Sequence, residues 1–454
     1  MSGAGCQAAS VIAVAFTVVF VLAACGSASF DSTRPGIRTS NAGSPDSSRS
    51  SASGSTADAG ANTSSEDDGA DNDAPGAGLG GVCESGASQC SGNEVQTCGS
   101  SGQWSTPAAC GSDVPLCMNG SCSAPSADGG AVTPPSCLPG GPGRTDCGPG
   151  GSGSESCCAS LEVSPGAFYR TYDPLDSNGD GIVAPDGGPA DEADPATVSG
   201  FRLDKYLVTV GRFRQYVNYV TGSAGAAPAN GAGLHAHLNG GSGLANSASP
   251  GSFETGWDAT DWDSEIATGA LAASMWDTNL ACDPCGATWT STAGTQENLP
   301  INCVDWYESY AFCIWDGGFL PSEAELAYAA AGGSQQREYP WGSTDPGTGI
   351  TYAIYNCNYP ITASGIAPVG TTILGAAYWG QFDMAGEVYE WNLDDYAPYV
   401  DPCTNCAYLS PTSFRVVRGG NFSVATAGLL ASSRNFTNPP TRDIDYGFRC
   451  ARAP

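Results

Sequence analysis

Twenty cysteines, unevenly spread over 454 residues, constrain this chain more than any other feature of its sequence. Thiols at this density are typical of an oxidising compartment, where disulfides supplement the hydrophobic core. Residues 82–123 are too short to rest on a core alone, and six of the cysteines lie there. They are Cys83, Cys90, Cys98, Cys110, Cys117 and Cys122. We expect three disulfides of undetermined connectivity. A zinc site is the weaker alternative, because no pair has CxxC spacing and no histidine is near.

The N-terminus carries an apolar run, Val11 to Ala24, which has the length of a signal-peptide core and is short for a membrane span. The run ends in Leu22-Ala-Ala-Cys25-Gly, which resembles the lipobox of bacterial lipoproteins. The resemblance implies that residues 1–25 are a signal peptide and that Cys25 is lipidated. The exported protein would then be anchored in the cell envelope, at the outer membrane or cell surface. A plain signal peptide or a short retained anchor is the alternative, and no Lys or Arg precedes the run.

The charge balance restricts the partners of the chain. Asp and Glu number 46 against 16 Lys and Arg, which gives a formal net charge of −30. No run rich in Lys or Arg interrupts this excess, so nucleic acid and an anionic lipid surface are disfavoured as binding partners. The two histidines, His235 and His237, exclude a site made of three imidazoles within one chain.

Composition divides the chain into segments. Residues 26–81 are Ser, Ala, Gly, Asp and Thr with almost no large apolar side chain, which predicts a disordered tether. Residues 82–123 form the cysteine-rich module, and residues 124–135 form a linker rich in Pro and Gly. Residues 136–454 hold most of the aromatic side chains and predict one large domain with an ample core.

Three helices can be placed in the large domain. Apolar residues at Val210, Phe213, Val217 and Val220 predict an amphipathic helix that follows the N-cap Thr209. Two capping boxes predict the others, and these are Asp305-Trp-Tyr-Glu308 and Ser322-Glu-Ala-Glu325. The remaining segments are short and broken by turns. We therefore expect an α+β domain with few helices and much irregular structure.

Four sequence blocks follow one another in this domain. They are Phe201-Arg-Leu-Asp-Lys-Tyr, then Leu299-Pro-Ile-Asn-Cys with Phe319-Leu-Pro-Ser-Glu and Tyr339-Pro-Trp-Gly, then Phe382-Asp-Met-Ala-Gly-Glu-Val-Tyr-Glu-Trp, and finally Arg418-Gly-Gly-Asn-Phe with Gly447-Phe-Arg-Cys. Their order and spacing resemble the formylglycine-generating enzyme family, also called sulfatase-modifying factors. The resemblance implies a C-type-lectin-like fold of the α+β class, preceded here by the small disulfide-rich module. It also implies a disulfide between Cys313 and Cys450.

The same blocks suggest structural roles for their large side chains. Four tryptophans are expected in the core because each ring buries a large area, and they are Trp306, Trp315, Trp341 and Trp391. Arg418 and Arg449 stand beside glycines and predict buried guanidinium groups that bond carbonyls or carboxylates. We expect Glu323 and Glu325 to serve as helix caps and surface-network residues rather than as catalytic acids.

The family oxidises a cysteine of a sulfatase to formylglycine with oxygen and copper. In the family, two cysteines between the Arg-Gly-Gly motif and the Gly-Phe-Arg-Cys motif bind that copper. Soft thiolates suit Cu(I). Here the interval from Asn421 to Tyr446 contains no cysteine, and the expected positions fall among Val424, Thr426 and Leu429. We therefore expect that copper is not bound and that this chain does not generate formylglycine by the copper route.

The sequence offers few candidate ligands for metals other than copper, such as iron or zinc. The ergothioneine-type sulfoxide synthases have a related domain, but their iron site needs several histidines. We expect His235 and His237, in a loop rich in Gly and Ala, to be surface residues. The pairs Cys282-Asp-Pro-Cys285 and Cys403-Thr-Asn-Cys406 could offer four thiolates to zinc, although disulfides are favoured in an exported chain.

Calcium is the one metal that the sequence favours. Asp176, Asn178 and Asp180 match the opening of an EF-hand-type loop, although the twelfth position is Gly187 and not Glu. An ordinary acidic turn is the alternative reading of this segment. The family resemblance implies a second calcium site. It would place Glu387 and Glu390 among its ligands, and Asn356 corresponds to a ligand of another family site.

Two functions are compatible with these observations. The first is a binding or structural domain on a cell-envelope lipoprotein, with the membrane reached through the lipid anchor and an unknown protein, peptide or glycan as ligand. The second is an enzyme of the same family with altered chemistry that acts on an exported protein. The insertion Ser223 to Ser252 and the run Trp257 to Trp276 are candidate variable surfaces.

Overall fold

The computed structural model describes residues 88–91, 94–101, 103, 105–106, 108–109, 116–118, 121–123, 134–138, 145–148, 155–172, 194–222, 225–360 and 365–454. The predicted signal peptide and tether lie outside the described residues, as do Cys25, Asp176, Asn178 and Asp180. The chain divides into a small unit, Ala28–Pro125, and a large unit that contains Ser126–Pro454. Within the described residues, no helix is long and apolar enough to cross a membrane.

The small unit contains short antiparallel strands. They are β1 (Ser88–Ser91), β2 (Glu94–Thr97), β3 (Ala108–Ala109), β4 (Leu116–Met118) and β5 (Ser121–Ser123). Strands β1, β2 and β3 form one sheet, while β4 and β5 form a separate hairpin. Cys98 is buried and lies in a disulfide, as expected for this module.

The large unit is an α+β domain in which short strands and helices are joined by long irregular segments. Its strands are β6 (Ser160–Val163), β7 (Gly166–Tyr169), β8 (Pro195–Val198), β9 (Phe201–Asp204), β10 (Ala245–Asn246), β11 (Tyr389–Asp395), β12 (Cys403–Thr404), β13 (Cys406–Ala407), β14 (Arg415–Arg418), β15 (Arg434–Thr437), β16 (Tyr446–Gly447) and β17 (Ala451–Arg452). Its α-helices are α1 (Val210–Val220), α2 (Ala259–Trp262), α3 (Ala273–Asn279), α4 (Trp306–Trp315) and α5 (Glu323–Ala330).

The helix starts confirm the sequence predictions. Thr209 accepts the N–H of Arg212 at the start of α1. Helices α4 and α5 each begin with the predicted capping box, because the side chains and backbone N–H groups of Asp305 and Glu308, and of Ser322 and Glu325, bond one another. These caps satisfy amide groups that have no partner within the first turn of a helix.

The sheets bring the two ends of the domain together. Strand β9 lies between β6 and the C-terminal strand β17, so the start and the end of the large unit share one sheet. A four-stranded sheet has the order β15-β14-β11-β16. In its register Glu390 faces Arg418, and Trp391 faces Val417. This sheet therefore joins the third and fourth sequence blocks directly.

Aromatic side chains fill the core between α1, α4 and the central sheet. The ring of Phe312 packs 5.5 Å from that of Phe213 and 5.4 Å from that of Phe448. Trp306 and Trp391 are fully buried as expected, whereas Trp315 and Trp341 are half-buried. The run Trp257 to Trp276 was expected at the surface, but its two end tryptophans are buried in this core, so that expectation is wrong for both.

Five disulfides lie within the described part of the large unit. They join Cys137 to Cys158, Cys147 to Cys157, Cys282 to Cys303, Cys313 to Cys450, and Cys403 to Cys406. The Cys313–Cys450 bond confirms the pairing that the family resemblance implied. Of the two CxxC pairs, Cys403 and Cys406 bond each other, whereas Cys282 bonds Cys303 and not Cys285. Neither pair therefore contributes two thiolates to zinc.

A buried ion cluster holds the N-terminal and C-terminal parts of the domain together. The guanidinium of Arg212 donates to Asp204 at 2.9 Å and to Asp316 at 2.6 Å, and all three side chains are fully buried. Arg452 donates to the same two carboxylates. Ser136 Oγ accepts from Arg212 at 3.0 Å. One cluster thus joins β9, α1, the end of α4 and β17.

His235 corrects a prediction from the sequence. It was expected at the surface, but its ring is fully buried and bonds Glu254 at 2.9 Å through Nδ1 and Glu325 at 3.1 Å through Nε2. Burial alone would lower its pKa, but the charges of Glu325 and Glu254 outweigh burial and raise the pKa of His235 to about 10. The ring is therefore a buried cation that joins the Gly/Ala-rich insertion to α5. His237 is half-buried, and its ring stacks on Phe319.

We predict that the stability contributed by His235 depends on pH. It is complete below about pH 6.5, the ordinary pKa of histidine, and it is lost as the pH rises through about 10, the pKa in the folded state. At pH 6, His235→Gln should lower the free energy of unfolding by about 3 kcal/mol, because two buried carboxylates lose their cation. Urea denaturation of both proteins from pH 6 to 10.5 should show this difference shrinking as the pH rises.

His237→Gln is the matched control, because it lies in the same segment and its ring nitrogens have no hydrogen-bond partner among the described residues. Its effect should be within about 1 kcal/mol and should not follow the titration of His235. A difference between wild type and His235→Gln that stays constant over the whole pH range would contradict the buried cation.

Candidate functional site

The candidate site is the turn that follows strand β14, where the family resemblance implies the reaction centre. Gly419 and Gly420 have φ angles of 88° and 73°, which favour glycine. Asn421 Oδ1 then accepts the N–H groups of Ser423 and Val424, both at 3.0 Å. A short 3₁₀-helix, Thr426–Leu429, completes the turn.

Apolar packing fills the interior of this turn. A Cβ atom added at Gly428 would lie 2.8 Å from Cβ of Val424, so the isopropyl group of Val424 is packed directly against the glycine backbone. Leu429 and Leu430 are buried with Tyr339 and Tyr355. The positions expected to bind copper therefore present methyl groups and the hydroxyl of Thr426.

A buried ion cluster supports the turn from below. Glu323, the first residue of α5, accepts from Arg418 Nε at 3.0 Å and from Arg434 Nε and Nη2 at 2.8 and 2.6 Å. Tyr399 also donates to Glu323, at 3.0 Å. Burial raises the pKa of Glu323, but the two arginines reverse the shift and lower it below its usual value. The carboxylate is therefore a charged structural group, and the expected network lies in the interior and not at the surface.

Arg418 also fixes the far side of the turn. Its Nη1 atom donates to the carbonyl oxygens of Ala431 and Ser433, both at 3.1 Å. This confirms the prediction of a buried guanidinium that bonds carbonyls and a carboxylate. Every nitrogen atom of this guanidinium group has an acceptor. Arg418 therefore positions the backbone of residues 431–433.

A shallow groove lies on both sides of Ala431. The side nearer α5 is a cavity of about 10 Å³, enough for roughly one water molecule. Its lining residues are Leu326, Ala327, Ala330, Met384, Arg418, Gly419, Leu430, Ala431 and Ser433. The other side is lined by Phe168, Tyr169, Arg170, Tyr172, Ala331, Gln336, Arg337, Ala431 and Ser432. A depression of this size is far too small to enclose a small-molecule ligand.

The predicted calcium ligands Glu387, Glu390 and Asn356 differ in burial and in hydrogen-bond partners. Both carboxylate oxygens of Glu390 accept from Arg449, at 2.6 and 3.0 Å, so Glu390 would have to leave this pair to bind a metal. Arg449 donates in addition to the carbonyl oxygens of Phe382 and Asp383. Arg449 is thus the second buried guanidinium that the sequence predicted.

Glu387 has one oxygen without a partner. Its Oε2 accepts from the N–H of Ala367 at 3.0 Å, whereas Oε1 is buried and has no hydrogen-bond partner among the described residues. Burial, together with the charge of Asp383, raises the pKa of Glu387 well above its usual value. Asn356 is exposed, and it joins the same turn through its N–H, which donates to the carbonyl of Val424. Three or more His, Cys, Asp or Glu side chains do not gather into a metal cluster in the described parts of the chain.

Two features near the site escaped the sequence analysis. One is Glu254, the partner of His235, and the other is Arg337 on the rim of the groove. Neither belongs to a recognisable motif. For Arg337 the available signal was the scarcity of basic residues, 16 against 46 acidic ones, and for Glu254 the sequence held no signal.

Comparison with known proteins agrees with the four sequence blocks. Residues 151–454 match the family described as sulfatase-modifying factor enzyme 1-like domain. Hercynine oxygenase of Mycobacterium tuberculosis is 31% identical over 207 residues, which cover 43% of this chain and 46% of that protein. Formylglycine-generating enzyme of Mus musculus is 29% identical over 198 residues, which cover 40% of this chain and 52% of that protein. This chain thus spans about half the length of these curated relatives.

Among solved structures, PvdO from Pseudomonas aeruginosa aligns with a TM-score of 0.42 and 21% identity, covering 69% of this chain and 99% of that one. The family match extends over residues 151–454 and includes every element of the large unit from β6 to β17. The α+β, C-type-lectin-like fold expected from the sequence is confirmed. This chain belongs to the formylglycine-generating enzyme family of sulfatase-modifying factors.

Proposed function

We propose that this protein is a cell-envelope lipoprotein whose sulfatase-modifying-factor domain is a binding or structural module without formylglycine-generating activity. The observation that carries the proposal is the packing of the turn after β14. Val424 lies against the glycine backbone at Gly428, and Leu429 is buried beneath the turn. Methyl groups cannot bind Cu(I), which requires soft thiolate ligands.

The supporting scaffold of the turn is nevertheless intact. Arg418 and Arg434 hold Glu323, and Arg418 fixes the carbonyl groups of Ala431 and Ser433. Such a buried ion cluster maintains the shape of the groove without requiring chemistry at its surface. A protein that keeps the shape and lacks the thiolates is suited to binding. The alternative, altered chemistry on an exported protein, would use the same groove.

The proposed cellular location rests on the sequence. An apolar run followed by Leu22-Ala-Ala-Cys25-Gly is the pattern of an exported lipoprotein, and the Ser, Ala, Gly, Asp and Thr composition of residues 26–81 is the one that predicts a tether after such an anchor. The five disulfides within the described part of the large unit fit an oxidising compartment. The ligand would then be a protein, peptide or glycan at the cell surface.

We predict that the purified protein does not convert a cysteine-containing sulfatase peptide to the aldehyde in the presence of oxygen and copper. The physical reason is the absence of thiolate ligands between Asn421 and Tyr446. Mass spectrometry of the peptide is the measurement. An active formylglycine-generating enzyme, assayed in the same mixture, is the positive control. A peptide mass loss that matches aldehyde formation would refute the proposal.

We predict that Cys25→Ala abolishes lipid labelling of the protein when it is expressed in a bacterial host with labelled fatty acid. The thiol is the group that would accept the lipid, and alanine has none. Cys6→Ala, which changes the other cysteine of the N-terminal segment, should leave labelling unchanged. Equal labelling of the Cys25→Ala variant and the wild type would show that the anchor is not at this residue.

We further propose that Glu387 contributes to a calcium site. A buried carboxylate oxygen without a hydrogen-bond donor is the state expected of a group that faces a cation, and Oε1 of Glu387 is in that state. Calcium bound there would supply positive charge that fixes the turn. The segment with Asp176, Asn178 and Asp180 stays a prediction for a second site.

Calcium should therefore raise the melting temperature of the protein, because a ligand that binds only the folded state stabilises it by about 2.7 kcal/mol at a hundredfold excess over Kd. Glu387→Gln should remove most of this increase. Glu162→Gln, which changes an exposed carboxylate, is the matched control. Differential scanning calorimetry with calcium and with chelator gives the comparison. Identical melting temperatures in both conditions would argue against the site.

A further inference from the structure

A short segment upstream of the matched family domain enters the buried ion cluster of the large unit. The family match begins at residue 151, whereas a 3₁₀-helix, Pro135–Cys137, precedes it in the chain. Ser136 is fully buried, although Leu138, two residues further on, is exposed. We call residues 134–138 the strap. The family resemblance gives no reason for the strap to lie in the core, so the reason has to come from its contacts.

Ser136 completes the hydrogen bonding of two charged groups. Its backbone N–H donates to Oδ1 of Asp316 at 2.9 Å, and its Oγ accepts from Nε of Arg212 at 3.0 Å. Among the described residues, no other group bonds either of these two atoms, because the remaining contacts of the cluster use Oδ2 of Asp316 and the Nη atoms of Arg212. Without the strap, one buried donor and one buried acceptor would lose their partners, which is costly in a protein interior.

A disulfide holds the strap in this position. Cys137, the neighbour of Ser136, is bonded to Cys158, and both cysteines are buried. The Sγ atom of Cys137 lies 3.4 Å from Oγ of Ser136. On the other side of the bond, the carbonyl of Cys157 accepts from Nη1 of Arg212 at 3.4 Å. The disulfide and the ion cluster therefore meet at one guanidinium group.

The far end of this disulfide is fixed to a sheet. Strand β6 begins two residues after Cys158, and Ser160 faces Asp204 in the register of β6 with β9. Asp204 is the second carboxylate that binds the guanidinium of the cluster. The strap thus closes a ring of contacts that runs through the disulfide and strand β6 and returns to the ion cluster.

We propose that oxidation locks the strap into the core. The disulfide between Cys137 and Cys158 holds Ser136 in the ion cluster, so the large unit is completed only in an oxidising compartment. This inference goes beyond the proposed binding function and does not depend on it, because the strap lies upstream of the turn after β14. It is the same whether or not the copper assay detects aldehyde.

The locking step is a two-electron oxidation. The thiols of Cys137 and Cys158 lose two protons and two electrons as the S–S bond forms, and the disulfide of a thiol–disulfide oxidoreductase accepts them and becomes two thiols. The two cysteines are 21 residues apart, so in the chain-entropy model the bond removes much of the freedom of the open segment. Docking of Ser136 then costs less entropy. In the reduced chain, the hydrogen bonds of Ser136 have to offset that cost.

Reduction rates in the folded, full-length protein test the proposal. Ser136→Ala removes the Oγ atom that accepts from Arg212. It should accelerate reduction of the Cys137–Cys158 bond by tris(2-carboxyethyl)phosphine about tenfold, because a hydrogen bond to a charged group contributes at least the 1.4 kcal/mol that corresponds to about a factor of ten. Alkylation of the released Cys137 thiol, followed by mass spectrometry, measures the rate.

A neighbouring residue and a second disulfide are the controls. Leu138 belongs to the strap but is 54% exposed, so Leu138→Ala should leave the rate unchanged. The bond between Cys403 and Cys406 is buried and lies outside the strap. In Ser136→Ala it should be reduced at the wild-type rate. A general loss of stability accelerates the reduction of both bonds, whereas release of the strap accelerates only one.

Melting temperatures of the full-length protein give an independent measurement. Ser136→Ala should lower the melting temperature by about 5 °C. In a protein that also carries Cys137→Ala and Cys158→Ala, the same substitution should lower it by less than half as much, because the strap is no longer locked in place. In a protein that carries Cys403→Ala and Cys406→Ala, the effect of Ser136→Ala should be unchanged. Non-additive effects are the sign of groups that act together.

Three results would overturn the proposal. They are a wild-type rate of Cys137–Cys158 reduction in Ser136→Ala, an equal acceleration of both disulfides in that variant, and the same melting shift from Ser136→Ala in all three backgrounds. The reduction rates need only single variants with every disulfide intact. They therefore decide the question even if the protein without Cys137 and Cys158 does not fold.

Discussion

The pairing of Arg212 with Asp204 and Asp316 is the interaction on which the rest of the large unit depends. These three side chains are fully buried, and Arg452 completes the charge balance from the last strand. Removing one partner would leave an uncompensated charge in the interior, at a cost of about 3–5 kcal/mol. This cluster therefore fixes strand β9, helix α1, the end of helix α4 and the C-terminus to one another. It does so independently of the loops that carry the candidate site.

Short sequence patterns correctly predicted the features that depend on residues close together in the chain. Thr209, Ser322 and Glu325 form helix caps because their partners lie three residues away, and such spacing is visible in sequence. The Cys313–Cys450 disulfide spans 137 residues and followed only from the family resemblance. His235 was misjudged because its partners lie 19 and 90 residues away, and no periodicity reports such distant contacts. A loop rich in Gly and Ala looks exposed unless its long-range partners are known.

The candidate site shows the same division between motif and context. The order of motifs placed Arg418 beside the turn, and the absence of cysteine from Asn421 to Tyr446 needed no structure to be seen. The sequence did not show that Val424 packs on Gly428, or that Glu390 is occupied by Arg449. Both facts depend on how separate segments meet. Residue types alone were therefore enough to predict that copper is not bound. Predicting the binding surface required the arrangement of side chains in space.

Under the proposed function, helix α5 explains how the scaffold around the turn keeps its shape without thiolate ligands. Two of its first residues point to different clusters: Glu323 binds Arg418 and Arg434 under the turn, while Glu325 binds His235 of the insertion. The N-terminus of a helix favours negative charge, so both carboxylates are stabilised there independently of any ligand. Substitutions at the turn surface leave these buried pairs untouched. The scaffold can therefore persist while the exposed residues along the groove change, and the loop that follows α5 carries Arg337 to its rim.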